Sequence, residues 1–360
     1  MIHISRRLLW WVFIACAAPQ LAVAARGSER RFVAATDLRL QFTDGLNLVR
    51  DETDGSAHFD RVIDGPARGF RWDSPGARVS WRTDSASVRV RLRYTERHIG
   101  ASRNSIGVFR IDGRGDLAWT FTRPAGGEAE LTVTLPVLTD GSCHDYEVIL
   151  PYGDSVDVLG VEVTENAALA PARPRPGTRY IAFGDSVTHG FTATEVTKTY
   201  AFQVAERNGW ELINLGIGGR GTHGPDGAFL ARVNADVISL LIGVNDWQAG
   251  AELESFRANY AQLVAGLREG HPKAPVYLIT PLWVSETWAP NGVRYPLESY
   301  RAVIREVAAA FADPLLAVIE GPLLIDHDPR LFDRIAVHPN DAGFAQMADR
   351  LAPAIRDSLK

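Results

Sequence analysis

The chain has 360 residues, 46% of them hydrophobic, 22% charged and 9% aromatic, with a formal net charge of −5. That balance excludes a disordered, collagen-like or polytopic membrane protein, and mild acidity without a block of like charge argues against a nucleic-acid or membrane-surface arm. The length suits two domains, each large enough to bury its own core.

Residues 1–25 read as a secretory signal peptide. Arg6 and Arg7 supply a positive start, Leu8 to Ala18 an apolar run, and Ala22-Val23-Ala24 the small residues that a signal peptidase requires. The apolar run is too short for a membrane span, which needs ~20 residues. The expected destination is therefore outside the cytoplasm, periplasmic or secreted. A lipoprotein signal ending at Cys16 is disfavoured, because Phe13-Ile14-Ala15 is a poor approach to such a cysteine. Cleavage near Ala24 leaves Cys143 as the one thiol, so no internal disulfide is expected and Cys143 reads as a small buried hydrophobe.

Residues 30–165 read as all-β. Ala77–Arg82 and Ser87–Tyr94 alternate apolar and polar residues, the period of a half-buried strand. Further strands are expected at Ile106–Ile111, Leu117–Thr122, Glu130–Leu135, Asp145–Leu150 and Val156–Val163. Asp112-Gly113, Gly126-Gly127, Asp140-Gly141 and Tyr152-Gly153-Asp154 supply the turns between them. Many short strands with Gly-rich turns and no long helix predict a β-sandwich of jelly-roll type.

The pattern breaks at residues 166–178, where Pro171, Pro174 and Pro176 alternate with Ala and Arg. Such a stretch reads as a stiff, solvated linker. From residue 179 to 360 strands alternate with helical patterns. Tyr180–Phe183, Leu212–Leu215, Val237–Ile242, Val276–Ile279 and Leu315–Ile319 are short aliphatic runs suited to a buried parallel sheet. Leu253, Phe256, Tyr260, Leu263, Val264 and Leu267 keep helical spacing, as do Leu297, Tyr300, Val303, Ile304, Val307 and Phe311. Phe344, Met347, Leu351 and Ile355 mark a last helix. The alternation predicts a parallel sheet with helices on both faces, and ligands in such folds sit at the carboxyl ends of the strands.

Three sequence blocks fall at those ends, and a fourth falls at the entrance to the last helix. The first strand runs into Gly184-Asp185-Ser186, which places a serine at the entrance to a helix. Alone, that triplet is better explained as a turn or helix cap. The second strand ends in Gly216-Ile217-Gly218-Gly219-Arg220-Gly221, a loop able to aim backbone N–H groups at an anion; no Gly-Lys-Ser/Thr follows, so it is not a phosphate loop. The third strand ends in Gly243-Val244-Asn245-Asp246, and an asparagine there can donate to an oxyanion. Finally, His338-Pro339 precedes the last helix, where an imidazole can reach across the sheet edge as a general base.

The order Gly-Asp-Ser, Gly-rich loop, Gly-x-Asn-Asp and late His-Pro resembles the SGNH (GDSL) hydrolases, over roughly residues 178–358. The resemblance implies a flavodoxin-like α/β/α three-layer domain and a serine esterase. It assigns Ser186 as nucleophile, His338 as base, and the oxyanion hole to the N–H of Ser186, the N–H of Gly219 and the side chain of Asn245. A β-sandwich ahead of such a domain resembles carbohydrate esterase family two, with Ala67–Trp72 and Val156–Val163 as the matching stretches. That likeness implies removal of acetyl or other short acyl groups from sugar hydroxyls.

This chain departs from the family at one place. The acid three residues before the histidine is replaced by Ile335; Asp333 lies five residues upstream, and Asp328 and Asp326 farther. The expectation is that Asp333 returns to His338 across a bulged loop, against the rival that a backbone carbonyl orients the ring. Trp247, Trp283 and Trp288 are candidate sugar-binding residues, because indole faces suit sugar rings; core packing is the alternative for Trp283 and Trp288. No metal-ligand spacing occurs, so no metal or cofactor is expected. The expected partner is an acylated carbohydrate or polyol ester, with no nucleic acid and no stable membrane span. An acyltransferase using the same acyl-enzyme, or an inactive carbohydrate-binding protein, are the alternatives.

Overall fold

The computed structural model describes the chain except for residues 1–20, 23–28, 44–46, 62–67, 100–105, 126, 139, 175–176, 286–292, 334–336 and 358–360. Most of the expected signal peptide, Cys16 included, and Trp288 therefore lie outside the described residues. Among the described residues no helix is long and apolar enough to cross a membrane.

The N-terminal part is a sandwich of two six-stranded antiparallel sheets. One runs in the order Ala129–Leu135, Val88–Ile99, Asp154–Thr164, Ser56–Phe59, Leu48–Asp51, with Arg30–Ala34 also on Asp154–Thr164. The other runs Leu169–Ala170, Arg78–Thr83, His144–Ile149, Gly107–Ile111, Ala118–Phe121, with Gln41–Phe42 also on Arg78–Thr83. The alternation that identifies the strands also fills the core: Val79 and Trp81 point inward from one sheet, Val88, Val90 and Leu92 from the other. Leu169–Ala170, within the stretch read as a linker, pairs with Arg82–Thr83 and so extends the second sheet. Cys143 is half-buried rather than buried, because it sits at the turn leading into the strand from His144.

The C-terminal part is a five-stranded parallel sheet: β1 (Arg179–Gly184), β2 (Glu211–Gly216), β3 (Val237–Leu241), β4 (Val276–Ile279) and β5 (Leu316–Ile319). The order is β2-β1-β3-β4-β5, so the switch in winding direction lies beside β1, where ligands bind in open parallel sheets. Alternate residues of each strand serve opposite faces. Ile181, Phe183, Ile238 and Leu240 join one core cluster with helices α5 (Leu253–Gly270) and α6 (Leu297–Phe311). Tyr180, Ala182, Val237 and Leu241 join the other with helices α2 (Tyr200–Asn208) and α7 (Asp341–Asp357). Both faces are thus covered, as a parallel sheet requires.

The two parts share apolar core. Val108, Ile149 and Tyr152 of the sandwich pack in the same cluster as α2 and α7. Arg110 also pairs with Glu206 of α2 at 2.6 Å. The sandwich is therefore packed against the parallel sheet rather than tethered at a distance.

Candidate active site

Ser186 opens the short turn of helix α1 (Ser186–His189), directly after β1. Asp185 caps that turn by accepting the N–H of Val187 at 2.9 Å. The serine is 8% exposed, enough to meet substrate while little water surrounds it. Its Oγ lies 2.9 Å from His338 Nε2, which is hydrogen-bonding distance for a nucleophile and its base.

The His338 loop is shaped by Asp333. The Asp333 N–H donates to His338 O at 2.8 Å and closes the loop. The carboxylate then returns: Oδ1 accepts the N–H groups of Val337 and His338, at 3.3 and 3.4 Å, and Oδ2 lies 3.4 Å from His338 Nδ1. Burial alone would raise the Asp333 pKa, but its hydrogen bond to His338, the imidazole's charge and the two amides outweigh it, so the pKa is lowered. Asp326 is held by Gln346 and Arg350, and Asp328 by Arg330.

Residues after the nucleophile brace the same loop, and sequence reasoning passed over them. The Phe191 ring sits 5.1 Å from the His338 ring. Thr192 Oγ1 donates to Pro339 O at 2.8 Å, and Thr194 donates to Asp341 through both its N–H (2.8 Å) and its hydroxyl (2.6 Å). A Thr-rich segment after a Gly-Asp-Ser block carries no periodic signal, so only the fold reveals these contacts.

The other two blocks follow β2 and β3, the strands on either side of β1. Gly219 has φ +71°, a conformation that favours glycine, and a Cβ there would meet nothing within 4 Å, so the loop presents open space at this point. The loop is fixed at both ends: Ile217 N–H donates to Gly184 O at 3.0 Å, and buried Arg220 pairs through Nε at 3.0 Å with Asp226, the first residue of α3 (Asp226–Leu230). Asn245, in the turn of α4 (Val244–Gln248), donates one amide hydrogen to Arg220 O at 3.0 Å. That bond orients the amide, whose NH₂ carries a second hydrogen. Asp246 anchors the Gly-rich loop from beside it by accepting the N–H and hydroxyl of Thr222, each at 2.9 Å.

If Asn245 donates to an oxyanion, it acts mainly in the transition state. Asn245→Ala should then lower kcat by ~10²–10³-fold with little change in KM for a simple ester. A rise in KM alone would make it a substrate-binding residue instead.

Burial pushes the Asp185 pKa up to about 7, with a further push from the Asp246 charge; the Val187 amide and the His338 charge work against it. An acid whose folded pKa exceeds its unfolded value binds more protons when folded, so the contribution of Asp185 to stability falls as pH rises from 3.8 to about 7. Asp185→Asn keeps the acceptor for Val187 and removes this titration. Relative to wild type it should gain as much as about 4 kcal/mol between pH 4 and pH 8. Urea unfolding of both proteins across that range checks it; a constant difference would show that Asp185 ionises normally.

Of the tryptophans, Trp247 is buried in the core, its indole N–H donating to Tyr295 O at 3.1 Å. Trp283 is half-buried at the carboxyl edge of the sheet. It stacks on His327 (5.2 Å, 10°) and meets Phe332, the neighbour of Asp333, edge-on.

Residues 182–346 match the GDSL-like Lipase/Acylhydrolase family. No curated protein sequence matches the chain. Among solved structures, a salicylyl-acyltransferase from a tetracycline biosynthetic pathway is similar with a TM-score of 0.77 at 23% identity, over 92% of this chain and 97% of its own. A family two carbohydrate esterase from Cellvibrio japonicus has a TM-score of 0.68 at 18% identity, over 93% and 100%. Another from Clostridium thermocellum, in complex with cellohexaose, has a TM-score of 0.62 at 19% identity, over 80% and 94%. Residues 182–346 are thus similar to GDSL-like lipase/acylhydrolase domains, and the fold of the whole chain, a β-sandwich followed by a parallel sheet covered by helices, is the two-domain architecture of the family two carbohydrate esterase structures.

Proposed function

We propose that the protein is an exported serine esterase that removes short acyl groups, acetyl above all, from carbohydrates. The observation that carries the reading is Ser186 Oγ at 2.9 Å from His338 Nε2, at the carboxyl edge of the sheet and with Asp333 behind the imidazole. In this reading His338 Nε2 takes the Ser186 proton as Oγ attacks the ester carbonyl. Asp333 stabilises the imidazolium, and the oxyanion sits between the N–H groups of Ser186 and Gly219 and the Asn245 amide. The protonated imidazole releases the sugar hydroxyl, leaving acyl-Ser186. Water, deprotonated by His338, then frees the carboxylic acid.

One feature supports a sugar substrate. Trp283, near the His338 loop, would offer a sugar ring the indole face turned away from His327. Export rests on the charged, apolar and small-residue pattern of residues 1–25.

The test is acid release from acetylated oligosaccharides, with p-nitrophenyl acetate, butyrate and octanoate as simple esters. Acetate should be released, and kcat/KM should fall as the acyl chain lengthens. Inertness toward every ester would overturn the reading. Acyl delivery to an added alcohol in preference to water would make the protein a transferase.

A further inference from the structure

His189 takes no part in the chemistry above, yet it ends the turn that begins with Ser186. Its Nε2 lies 3.0 Å from Asp73 Oδ2, and neither side chain is exposed at all. Asp73 belongs to the sandwich, where its backbone bridges to Ser155. Two more sandwich residues box the imidazole edge-on, Phe70 at 5.4 Å and Tyr152 at 5.6 Å, both at 83°.

The same sandwich segment grips the Gly-rich loop. Arg61, 1% exposed, donates through Nη1 to Gly216 O at 2.7 Å. Its Nη2 donates to Phe70 O, and the Phe70 ring lies so close to Gly218 that a Cβ there would be 2.6 Å from Cζ. Within the parallel sheet the two gripped segments also meet, Asn214 Nδ2 donating to Thr188 O at 2.8 Å.

We propose that the β-sandwich is a working part of the oxyanion hole: Asp73, through His189, and Arg61 and Phe70, through Gly216 and Gly218, hold the Ser186 turn and the Gly219 turn at the spacing that lets both N–H groups reach one oxygen. These are positioning residues, and the inference rests on the esterase reading of the site. The physical reason is preorganisation. An oxyanion hole stabilises charge only if its donors already stand at the right distance, and errors near 1 Å cost ~10²-fold in rate. A buried carboxylate–imidazole pair and a buried guanidinium have few alternative geometries, because leaving their partners would strand a polar group away from water.

The experiment measures kcat and KM for p-nitrophenyl acetate, and inhibition by phenylboronic acid, whose serine adduct places an oxygen in the oxyanion hole. Asp73→Ala should lower kcat roughly 10- to 100-fold with KM within about threefold, and weaken boronate binding in parallel. Asp73→Asn, which still accepts from Nε2, should recover most of both. Phe70→Leu should lower them in the same proportion and serves if Asp73→Ala fails to fold. Glu206→Gln removes the charge from the Arg110 pair elsewhere in the domain interface; it should lower Tm and leave kcat unchanged. A kcat within threefold of wild type in the Asp73 and Phe70 variants overturns the inference and leaves the esterase reading intact. So does an equal loss in Glu206→Gln. A wild-type protein that hydrolyses no ester overturns the reading and this inference with it.

Discussion

Ser186→Ala should abolish ester hydrolysis and leave the fold unchanged. Ser186 Oγ lies 2.9 Å from His338 Nε2, where the imidazole can take its proton. Removing Oγ deletes the acyl-enzyme itself, and what remains is water attack helped by the oxyanion donors. Loss of ~10⁶-fold is the scale seen when a hydrolase nucleophile is removed. Stability should hardly change, because Ala is a good helix former at the first position of α1 and Asp185 still caps the turn through Val187 N–H. Circular dichroism and Tm establish the fold, and a fluorophosphonate should label wild type at Ser186 and leave the variant unlabelled. Wild-type turnover in the variant would remove the whole mechanism.

Asp333→Asn should cut kcat by about 10³–10⁴-fold, the scale for the acid of a Ser–His–Asp triad. The imidazole becomes cationic in the transition state. A carboxylate beside Nδ1 both selects the tautomer and stabilises that cation, whereas a backbone carbonyl supplies only the first. The carboxylate here is 3.4 Å from Nδ1, a long contact that closer approach in the substrate complex would strengthen. Loop geometry should survive the exchange, since Asn Oδ1 still accepts the N–H groups of Val337 and His338. A loss smaller than about threefold, with Asp326 and Asp328 variants equally mild, would leave a Ser–His dyad oriented by backbone.

The sequence by itself determined the features that rest on short-range order. Period-two alternation marks Ala77–Arg82 and Ser87–Tyr94, within or beside the observed strands Arg78–Thr83 and Val88–Ile99, aliphatic runs mark the five parallel strands, and three of the four blocks fall at strand ends because a chain leaving a buried strand must turn there. Arg30–Ala34 and Leu48–Asp51 escaped notice because neither alternates: the second is half-buried throughout and the first shows no regular face. Tertiary structure decided everything that depends on return of the chain. Asp326, Asp328 and Asp333 are alike in sequence, and only loop closure between Asp333 N and His338 O brings one of them to the imidazole. Trp247 reads as a candidate sugar-binding residue beside Asn245 until α4 turns it into the core. The meeting of Asp73 with His189 leaves no trace in spacing or periodicity, because their contact is made across the packing of two domains whose strands are each complete without it.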